Sequence, residues 1–246
     1  MVMISSTSRS RRIGRTNDCV KTCHVEVWFL DLDALSSDAS RGIDILSEDE
    51  RQRASAFHAD RTGRRFAECR ARLRRILASR TSGDPATIRF RYGLHGRPDL
   101  VDNPLDLRFS VSHSSGRAAI AVTRHRDLGI DIEVNRRIDH LDSLAQRYLA
   151  PVEIEQLARA DNRIRGFWKA WTRKEAYVKA LGTGLSGRID EFAVSLSEPA
   201  RLLTTGKPDD DSADWTLLDL SYDAFMVALA VRARSVSIDV HHQFDD

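Results

Sequence analysis

Residues 167–184 read FWKAWTRKEAYVKALGTG, and this stretch predicts the helix around which the fold is organised. Residues three and four apart are neighbours on a helix, so Trp171, Glu175 and Lys179 share one face. Two glycines follow closely, and we expect them to end the helix because glycine accepts the left-handed conformation common at helix C-termini. The spacing leaves two interpretations open: an amphipathic core helix with a surface Glu175–Lys179 ion pair, or a helix that presents functional groups.

A second acidic pattern lies upstream, in the apolar run GIDIE at 129–133. A strand alternates faces, so Asp131 and Glu133 point to one side while the isoleucines between them point into the core. Two like charges on one face repel unless a cation lies between them. Mg²⁺ prefers carboxylate oxygens and keeps coordination sites for substrate phosphates. The pattern indicates either a magnesium site, which Glu175 would complete, or an exposed strand whose acids face water.

The composition limits the class of protein. A chain of 246 residues suits one large domain or two smaller ones, and 41% hydrophobic with 30% charged residues is typical of soluble globular proteins. No apolar run reaches the length of a membrane span, and a net charge of +2 does not indicate a nucleic-acid binder. Three cysteines are too few for a disulfide framework, so we expect a cytoplasmic protein without a membrane partner.

The charge is unevenly distributed, because residues 51–80 contain ten arginines and only two acids. A helix is predicted over 62–80 from its apolar face, so most of these arginines are expected to be solvated. The same set would suit a phosphate-rich ligand. A second function therefore stays open, a non-catalytic nucleic-acid or nucleotide-binding module, although it would leave the carboxylates unexplained.

The order of elements indicates that the second half of the chain repeats the first. In the first half we predict a strand at 24–33, a short helix at 47–57, a long helix at 62–80 and a hairpin at 107–123. In the second half we predict the same elements in the same order, at 129–134, 152–158, 167–181 and 215–232. This order predicts an α+β fold of two similar α/β halves related by a pseudo-twofold. We expect a disordered basic tail over 1–23, an N-terminal half over 24–124 and a C-terminal half over 125–241, which carries the metal site.

Four stretches in this order resemble the signatures of the 4′-phosphopantetheinyl transferases: GRP at 96–98, FSVSHS at 109–114, GIDIE at 129–133 and WTRKEAYVKALGTGL at 171–185. The resemblance covers about residues 25–235. It points to the larger, monomeric pseudo-dimer type, which activates peptide and polyketide synthases and has its active site between two α+β halves. It implies a magnesium-dependent enzyme that transfers the phosphopantetheine arm of coenzyme A to a serine of an apo acyl or peptidyl carrier protein, releasing 3′,5′-ADP.

The resemblance also assigns roles to individual residues. The implied magnesium ligands are Asp131, Glu133 and Glu175. The implied catalytic residues are Glu175 and Lys179, and the implied contacts to coenzyme A are Arg53, Arg65, Arg97, Ser112, His113 and Lys179. The chain departs from the family pattern at Arg97, where lysine is more usual, at Ser110, where asparagine is common, and at Glu50, where some members carry lysine. A magnesium-dependent phosphodiesterase, which would hydrolyse coenzyme A without a carrier protein, stays a further alternative.

Overall fold

The computed structural model describes residues 2–5, 22–34, 39–93, 96–184 and 189–243. Within these ranges the chain forms twelve strands and six α-helices. The strands are β1 (Val2–Ser5), β2 (Cys23–Asp31), β3 (Phe90–Tyr92), β4 (Pro98–Leu100), β5 (Leu107–Ser114), β6 (Arg117–Arg124), β7 (Leu128–Val134), β8 (Ala193–Val194), β9 (Leu202–Thr204), β10 (Thr216–Asp219), β11 (Phe225–Val231) and β12 (Val236–Gln243). The helices are α1 (Ala39–Asp44), α2 (Glu48–Ser55), α3 (Asp60–Thr81), α4 (Leu141–Tyr148), α5 (Pro151–Ala158) and α6 (Arg163–Leu181).

The strands form two main sheets, and the fold is mixed α+β as the sequence predicts. One sheet has five strands in the order β1-β12-β2-β6-β5, and the other has three in the order β10-β11-β7. In each half, a hairpin follows the long helix, and the second strand of this hairpin pairs antiparallel with the first strand of that half. The segments β2-β6-β5 and β7-β11-β10 therefore share one connectivity.

The two ends of the chain differ from the prediction. Residues 2–5 were expected within a disordered tail over 1–23, yet they form β1 and pair parallel with β12. Strand β12 pairs parallel with β2, so the end of the predicted C-terminal half lies in the sheet of the N-terminal half. Local periodicity cannot reveal a parallel pairing between distant segments, because the pattern of each strand is independent of its partner. Residues 1 and 6–21 of the predicted tail lie outside the described residues.

The core lies between the two sheets and under the long helices. Val27 and Phe29 on β2 belong to one buried cluster with Ile130 and Ile132 on β7. The prediction that these isoleucines face the core is therefore confirmed. Helix α3 packs on the opposite face of the five-stranded sheet, and α6 packs on the opposite face of the three-stranded sheet. Apolar burial on both sides of each sheet thus fixes the positions of the two helices.

Helix α6 lies very close to β7 at Gly129. A Cβ atom at this position would lie 2.1 Å from the Ala176 oxygen and 2.5 Å from the Ala180 nitrogen, too close for any larger residue. Because a strand alternates faces, Asp131 and Glu133 lie on the same face of β7 as Gly129. The glycine therefore lets the helix rest on the strand directly beside the two carboxylates.

Each half also buries one carboxylate at the third position of its short helix. Glu50 on α2 accepts from Arg74 Nε at 2.7 Å, and Glu153 on α5 accepts from Lys174 Nζ at 2.7 and 2.8 Å. Each carboxylate also accepts from the backbone amide three residues earlier. The pairs hold each short helix against its long helix, and the second of them fixes the residue next to Glu175.

Candidate active site

The two halves of the chain meet where β5 lies beside β7, and serine hydroxyls connect the two strands. Ser112 Oγ donates to Asp131 Oδ1 at 2.7 Å, and Ser114 Oγ donates to Glu133 Oε2 at 2.7 Å. Ser110 Oγ accepts from the β7 backbone at 3.1 Å. The sequence analysis assigned a site role only to Ser112. The alternation of serines along FSVSHS was the available signal, because residues two apart on a strand share one face.

Lys179, in the last turns of α6, is held among these groups. Its Nζ lies 2.6 Å from Asp131 Oδ1 and 2.8 Å from Ser112 Oγ. Lys179 on α6 therefore forms an ion pair with Asp131 on β7. Helical spacing alone also allowed a surface ion pair between Lys179 and Glu175. The structure thus brings together residues from β5, β7 and α6 that the sequence places far apart.

Glu175 lies one turn before Lys179 and is only 8% exposed. Burial raises the pKa of Glu175, the charges of Asp131 and Glu133 act in the same direction and Lys179 opposes them, which leaves the pKa at about 7. Burial likewise raises the pKa of Glu133, and the charge of Asp131 adds to this effect. The three carboxylates are therefore close enough to influence one another.

Two carboxylate oxygens at this place are buried without a donor. Among the described residues, Asp131 Oδ2 and Glu175 Oε1 accept no hydrogen bond. A buried acceptor left unpaired costs about 1–3 kcal/mol, so the arrangement favours a bound cation or donor. Magnesium usually takes one or two protein carboxylates and completes its shell with water and substrate phosphates. These two oxygens therefore fit magnesium.

The predicted third ligand, Glu133, is placed differently. The described part of the chain contains no group of three or more side chains ready to hold a metal ion. Glu133 instead accepts the Ser114 hydroxyl and is only partly buried. Glu133 therefore has a hydroxyl partner in this structure, and its role as a third magnesium ligand beside Asp131 and Glu175 stays a prediction.

His113 and Arg97 lie near this group. His113 is exposed, yet partial desolvation of its ring lowers its pKa, and the charges of Lys179, Arg65 and Arg70 lower it further, which favours the neutral imidazole. Arg97 lies between β3 and β4 and directs its Nη1 to the Lys179 carbonyl at 2.6 Å. Arg97 therefore contacts α6 at the candidate site, and His113 lies within the electrostatic influence of Lys179.

Arg53 and Arg65 are placed differently. The Arg53 guanidinium lies 5.3 Å from the centre of the Phe66 ring. Arg65 forms an ion pair with Asp33, which Arg61 joins, and these hydrogen bonds hold the pKa of Asp33 well below its usual range. In the described structure, neither Arg53 nor Arg65 hydrogen-bonds to the group around Lys179. Arg65 acts on the site through its charge, since it contributes to the lowered pKa of His113.

Much of the arginine-rich segment is engaged in ion pairs within the protein. These pairs are Arg51–Glu48, Arg61–Asp33, Arg65–Asp33, Arg70–Glu50, Arg72–Glu68, Arg74–Glu50 and Arg80–Glu26. Most of the acids come from outside residues 51–80, so their pairing cannot be read from that segment alone. These ion pairs reduce the positive charge that the segment offers to a polyanion. None of the described helices has the length and apolar character required to cross a membrane.

A narrow cleft opens beside Glu175 and Lys179. Its volume is about 310 Å³, and it is lined by Gly96, Arg97, Pro98, Phe109, Ser110, Val111, Glu175, Val178, Lys179, Gly182 and Gly184. The lining combines residues from the GRP, FSVSHS and WTRKEAYVKALGTGL stretches. Apolar walls with a few converging polar groups are typical of small-molecule sites.

Known proteins resemble this chain over the same region. The family model described as the 4′-phosphopantetheinyl transferase superfamily matches residues 127–230. The 4′-phosphopantetheinyl transferase HetI of Nostoc sp. is 36% identical over 210 residues, which is 83% of this chain and 85% of HetI. The 4′-phosphopantetheinyl transferase Sfp of Bacillus subtilis is 27% identical over 176 residues, covering 71% of this chain and 77% of Sfp.

Among solved structures, the holo-[acyl-carrier-protein] synthase of Thermotoga maritima aligns with 44% of this chain and 63% of its own, at 26% identity. Its TM-score of 0.36 is too low for the two folds to be equated. The identity to HetI, in contrast, extends over most of both chains, and the family match includes Asp131, Glu133 and Glu175. On these grounds the chain belongs to the 4′-phosphopantetheinyl transferase superfamily.

Proposed function

We propose that this chain transfers the 4′-phosphopantetheine arm of coenzyme A to a serine of an apo acyl or peptidyl carrier protein and releases 3′,5′-ADP. The observation that carries the proposal is the pair of buried, donor-free oxygens Asp131 Oδ2 and Glu175 Oε1, together with the contact of Lys179 with Asp131. A pyrophosphate donor needs such carboxylates for a divalent cation and a nearby amine for its own charge. Membership of the superfamily supports the same reaction.

Magnesium dependence is part of the proposal. Asp131 and Glu175 would hold the ion, with Glu133 nearby, and bound magnesium would neutralise charge on the pyrophosphate of coenzyme A. Lys179 lies where it can donate to a non-bridging phosphate oxygen once its bond to Asp131 is exchanged. A fixed ammonium in a partly buried site stabilises negative charge that grows during the reaction.

The transfer forms one P–O bond and breaks another. The serine oxygen of the carrier protein attacks the β-phosphorus and forms a new P–O bond, while the bond from that phosphorus to the oxygen of 3′,5′-ADP breaks. The serine proton passes to the carboxylate of Glu175, whose pKa of about 7 in its buried site suits a general base near neutral pH. A carboxylate that also ligates a metal is less basic, so we favour a bound water as the relay between serine and Glu175.

The remaining predicted residues would hold coenzyme A from the N-terminal half. Ser112 and His113 on β5 are near Lys179, and a neutral imidazole can donate one N–H to a phosphate oxygen. Arg53 and Arg65 are proposed for the nucleotide phosphates. Arg65 would then have to exchange part of its pairing with Asp33 for the ligand.

We further propose that the protein is a cytoplasmic monomer in which the two halves are related by a pseudo-twofold. The shared connectivity of β2-β6-β5 and β7-β11-β10 supports this relation. The site at the junction of β5, β7 and α6 would then lie between the halves. Sedimentation analysis that found an obligate trimer would contradict the monomer.

The direct test is the mass of an apo carrier protein after incubation with this chain, coenzyme A and magnesium. We expect the carrier to gain one phosphopantetheine group, and the gain to disappear when divalent metal is chelated or when the acceptor serine is replaced by alanine. Peptidyl and acyl carrier domains should be tested side by side. Consumption of coenzyme A without any gain in carrier mass would favour a phosphodiesterase instead.

A further inference from the structure

Arg97 joins the two halves of the chain at the end of α6. Its Nη1 donates to the Lys179 carbonyl at 2.6 Å, and its Nη2 donates to the Phe109 carbonyl on β5 at 3.4 Å. The Lys179 carbonyl also accepts from the Gly182 amide at 3.2 Å, and a cation beside the last carbonyls of a helix meets the negative end of the helix dipole. Arg97 therefore supports the last turn of α6 from outside and ties it to β5.

The tie depends on the shape of the guanidinium group. A guanidinium presents its N–H groups in a planar fork that can reach two acceptors at once, whereas the ammonium of lysine is a point charge on a flexible stem. Burial lowers the pKa of Arg97, with Asp127 and Asp99 opposing this effect. The group stays charged, because the ordinary pKa of arginine lies so far above neutral pH. The arginine at position 97 thus has a geometric reason.

The same turn of α6 is fixed from the other side by β7. A Cβ atom at Gly129 would lie 2.8 Å from Lys179 Cβ, so the strand is in contact with the helix directly at this residue. Arg97 contacts the carbonyl of Lys179 and β7 contacts its Cβ, so the backbone of Lys179 is held from two sides. This backbone position places the Lys179 Nζ within hydrogen-bond distance of Asp131 Oδ1 and Ser112 Oγ.

We propose that Arg97 is a positioning residue for Lys179, and that its contribution to transfer passes through the Lys179 ammonium rather than through contact with coenzyme A. The family resemblance implies the opposite, a direct contact. The kinetic test of this inference rests on the proposed function, whereas its structural test does not need turnover. The two roles differ in the quantity they change: a ground-state contact with coenzyme A affects its KM, and a positioned ammonium affects kcat.

The kinetic test uses Arg97→Lys, which keeps the charge but loses the fork. We expect kcat to fall about tenfold or more, as small misplacements of catalytic groups do. The dissociation constant of coenzyme A, measured by calorimetry, should change less than about twofold. The matched control is Arg91→Lys, because Arg91 lines the neighbouring cleft with Arg97 but forms an exposed pair with Asp99. Weaker coenzyme A binding at unchanged kcat in Arg97→Lys would overturn the inference.

A double-mutant cycle separates positioning from general loss of structure. If Arg97 acts through Lys179, the double variant Arg97→Lys/Lys179→Met should transfer no more slowly than Lys179→Met alone. Single-turnover mass spectrometry of the carrier protein measures these slow rates. Additive losses in the double variant would show that Arg97 acts independently of Lys179.

The structural test follows the reactivity of Lys179 toward an amine-modifying reagent, read by peptide mass spectrometry. In Arg97→Ala we expect Lys179 to be modified several-fold faster than in the wild type. Lys169, which lies on the same helix and forms an ion pair with Glu198, is the internal reference. Thermal unfolding verifies that the variant is folded, and Arg97→Lys takes its place if it is not. Unchanged reactivity of Lys179 would refute the tie. Increased reactivity in a protein that modifies no carrier would refute the proposed function alone.

Discussion

Lys179 Nζ and Asp131 Oδ1 lie 2.6 Å apart, so one ion pair joins the last turns of α6 to β7 inside the candidate site. The side chain of Asp131 is almost fully buried, and that of Lys179 is 29% exposed. The lysine therefore neutralises the carboxylate that a magnesium ion is expected to bind. A magnesium ion bound by Asp131 would therefore share this carboxylate with the Lys179 ammonium.

This competition predicts opposite effects of Lys179→Met on metal binding and on transfer. Without coenzyme A, the variant should bind Mg²⁺ or Mn²⁺ several-fold more tightly, because a cation next to the site repels another. Its kcat should fall strongly, because the phosphate charge loses its ammonium. Calorimetric metal titration and carrier-protein mass analysis measure the two effects. Lys169→Met, in an ion pair elsewhere on α6, is the control and should change neither.

Single replacements of Asp131 and Glu175 should differ in their effects on metal binding, coenzyme A binding and turnover. Asp131→Ala should lose metal binding and transfer together, whereas Glu175→Gln should keep coenzyme A binding better than turnover, because the amide retains an oxygen but not basicity. The double variant should be scarcely worse than Asp131→Ala, since residues that act as one unit are not additive. Full transfer activity in Glu175→Gln would refute the proposed base.

The raised pKa of Glu175 predicts a pH dependence of stability in metal-free protein. In the folded state Glu175 holds its proton up to about pH 7, whereas in the unfolded chain it releases its proton near the ordinary pKa of 4.5. The folded state therefore binds more protons within this window, and its stability falls as the pH rises from about 4.5 to 7. The loss amounts to about 3 kcal/mol if the whole shift is expressed.

Denaturant unfolding at several pH values, compared between wild type and Glu175→Gln, measures this slope. The variant lacks the titrating group and should show a flatter profile over the same window. Addition of magnesium should also flatten the wild-type profile, because a bound cation offsets the repulsion among the carboxylates. Parallel profiles for the two proteins would contradict the raised pKa.

The lowered pKa of His113 predicts proton uptake when coenzyme A binds. Partial desolvation and neighbouring cations favour the neutral imidazole in the free protein, and a phosphate placed beside it would raise its pKa toward or above the ordinary value. Near pH 6 the binding enthalpy should therefore depend on the ionisation enthalpy of the buffer. Calorimetry in two buffers measures this dependence, and His113→Gln should abolish it while the protein stays folded. Equal proton uptake in His113→Gln and wild type would remove His113 from the ligand site.

Gly129→Ala should weaken the protein at the contact between β7 and α6. A Cβ would meet backbone atoms of the helix at 2.1 and 2.5 Å, so the helix would have to move away from the strand. We expect a loss of about 2–4 kcal/mol in the free energy of unfolding, comparable to severe overpacking. Gly83→Ala is the control, because its Cβ would approach only the Thr81 hydroxyl, at 3.2 Å. Chemical denaturation of both variants measures the difference.

Elements that depend on neighbouring residues can be predicted from this sequence. Helical periodicity predicts α3 and α6, and alternation predicts β5, β6, β7 and the side to which Asp131 points. Strand β12 is not predicted, because its main partner is β2, and His24 and Ser237, which pair across them, are 213 residues apart. Helix α4 is also missed, although its apolar residues have helical spacing.

The candidate site shows the same division. The common face of Glu175 and Lys179 follows from helical spacing, and the role of the whole group follows from the family resemblance. The pairing of Lys179 with Asp131 requires the packing of α6 on β7, which no local pattern contains. The engagement of Arg65 with Asp33 likewise depends on how the end of β2 meets α3, so the sequence alone leaves that arginine available for a ligand.

The position of β12 has a consequence for the protein during its synthesis. Strand β2 is among the first elements to be translated, yet its parallel neighbour at 236–243 follows every residue of the candidate site. Until then one hydrogen-bonding edge of β2 stays open, and closing such a long loop is slow. A chain that ends before residue 236 would contain every residue of the candidate site, yet it would expose the unpaired N–H and C=O groups along one edge of β2. The pairing of β12 therefore covers this edge of β2 only after every residue of the candidate site has been synthesised.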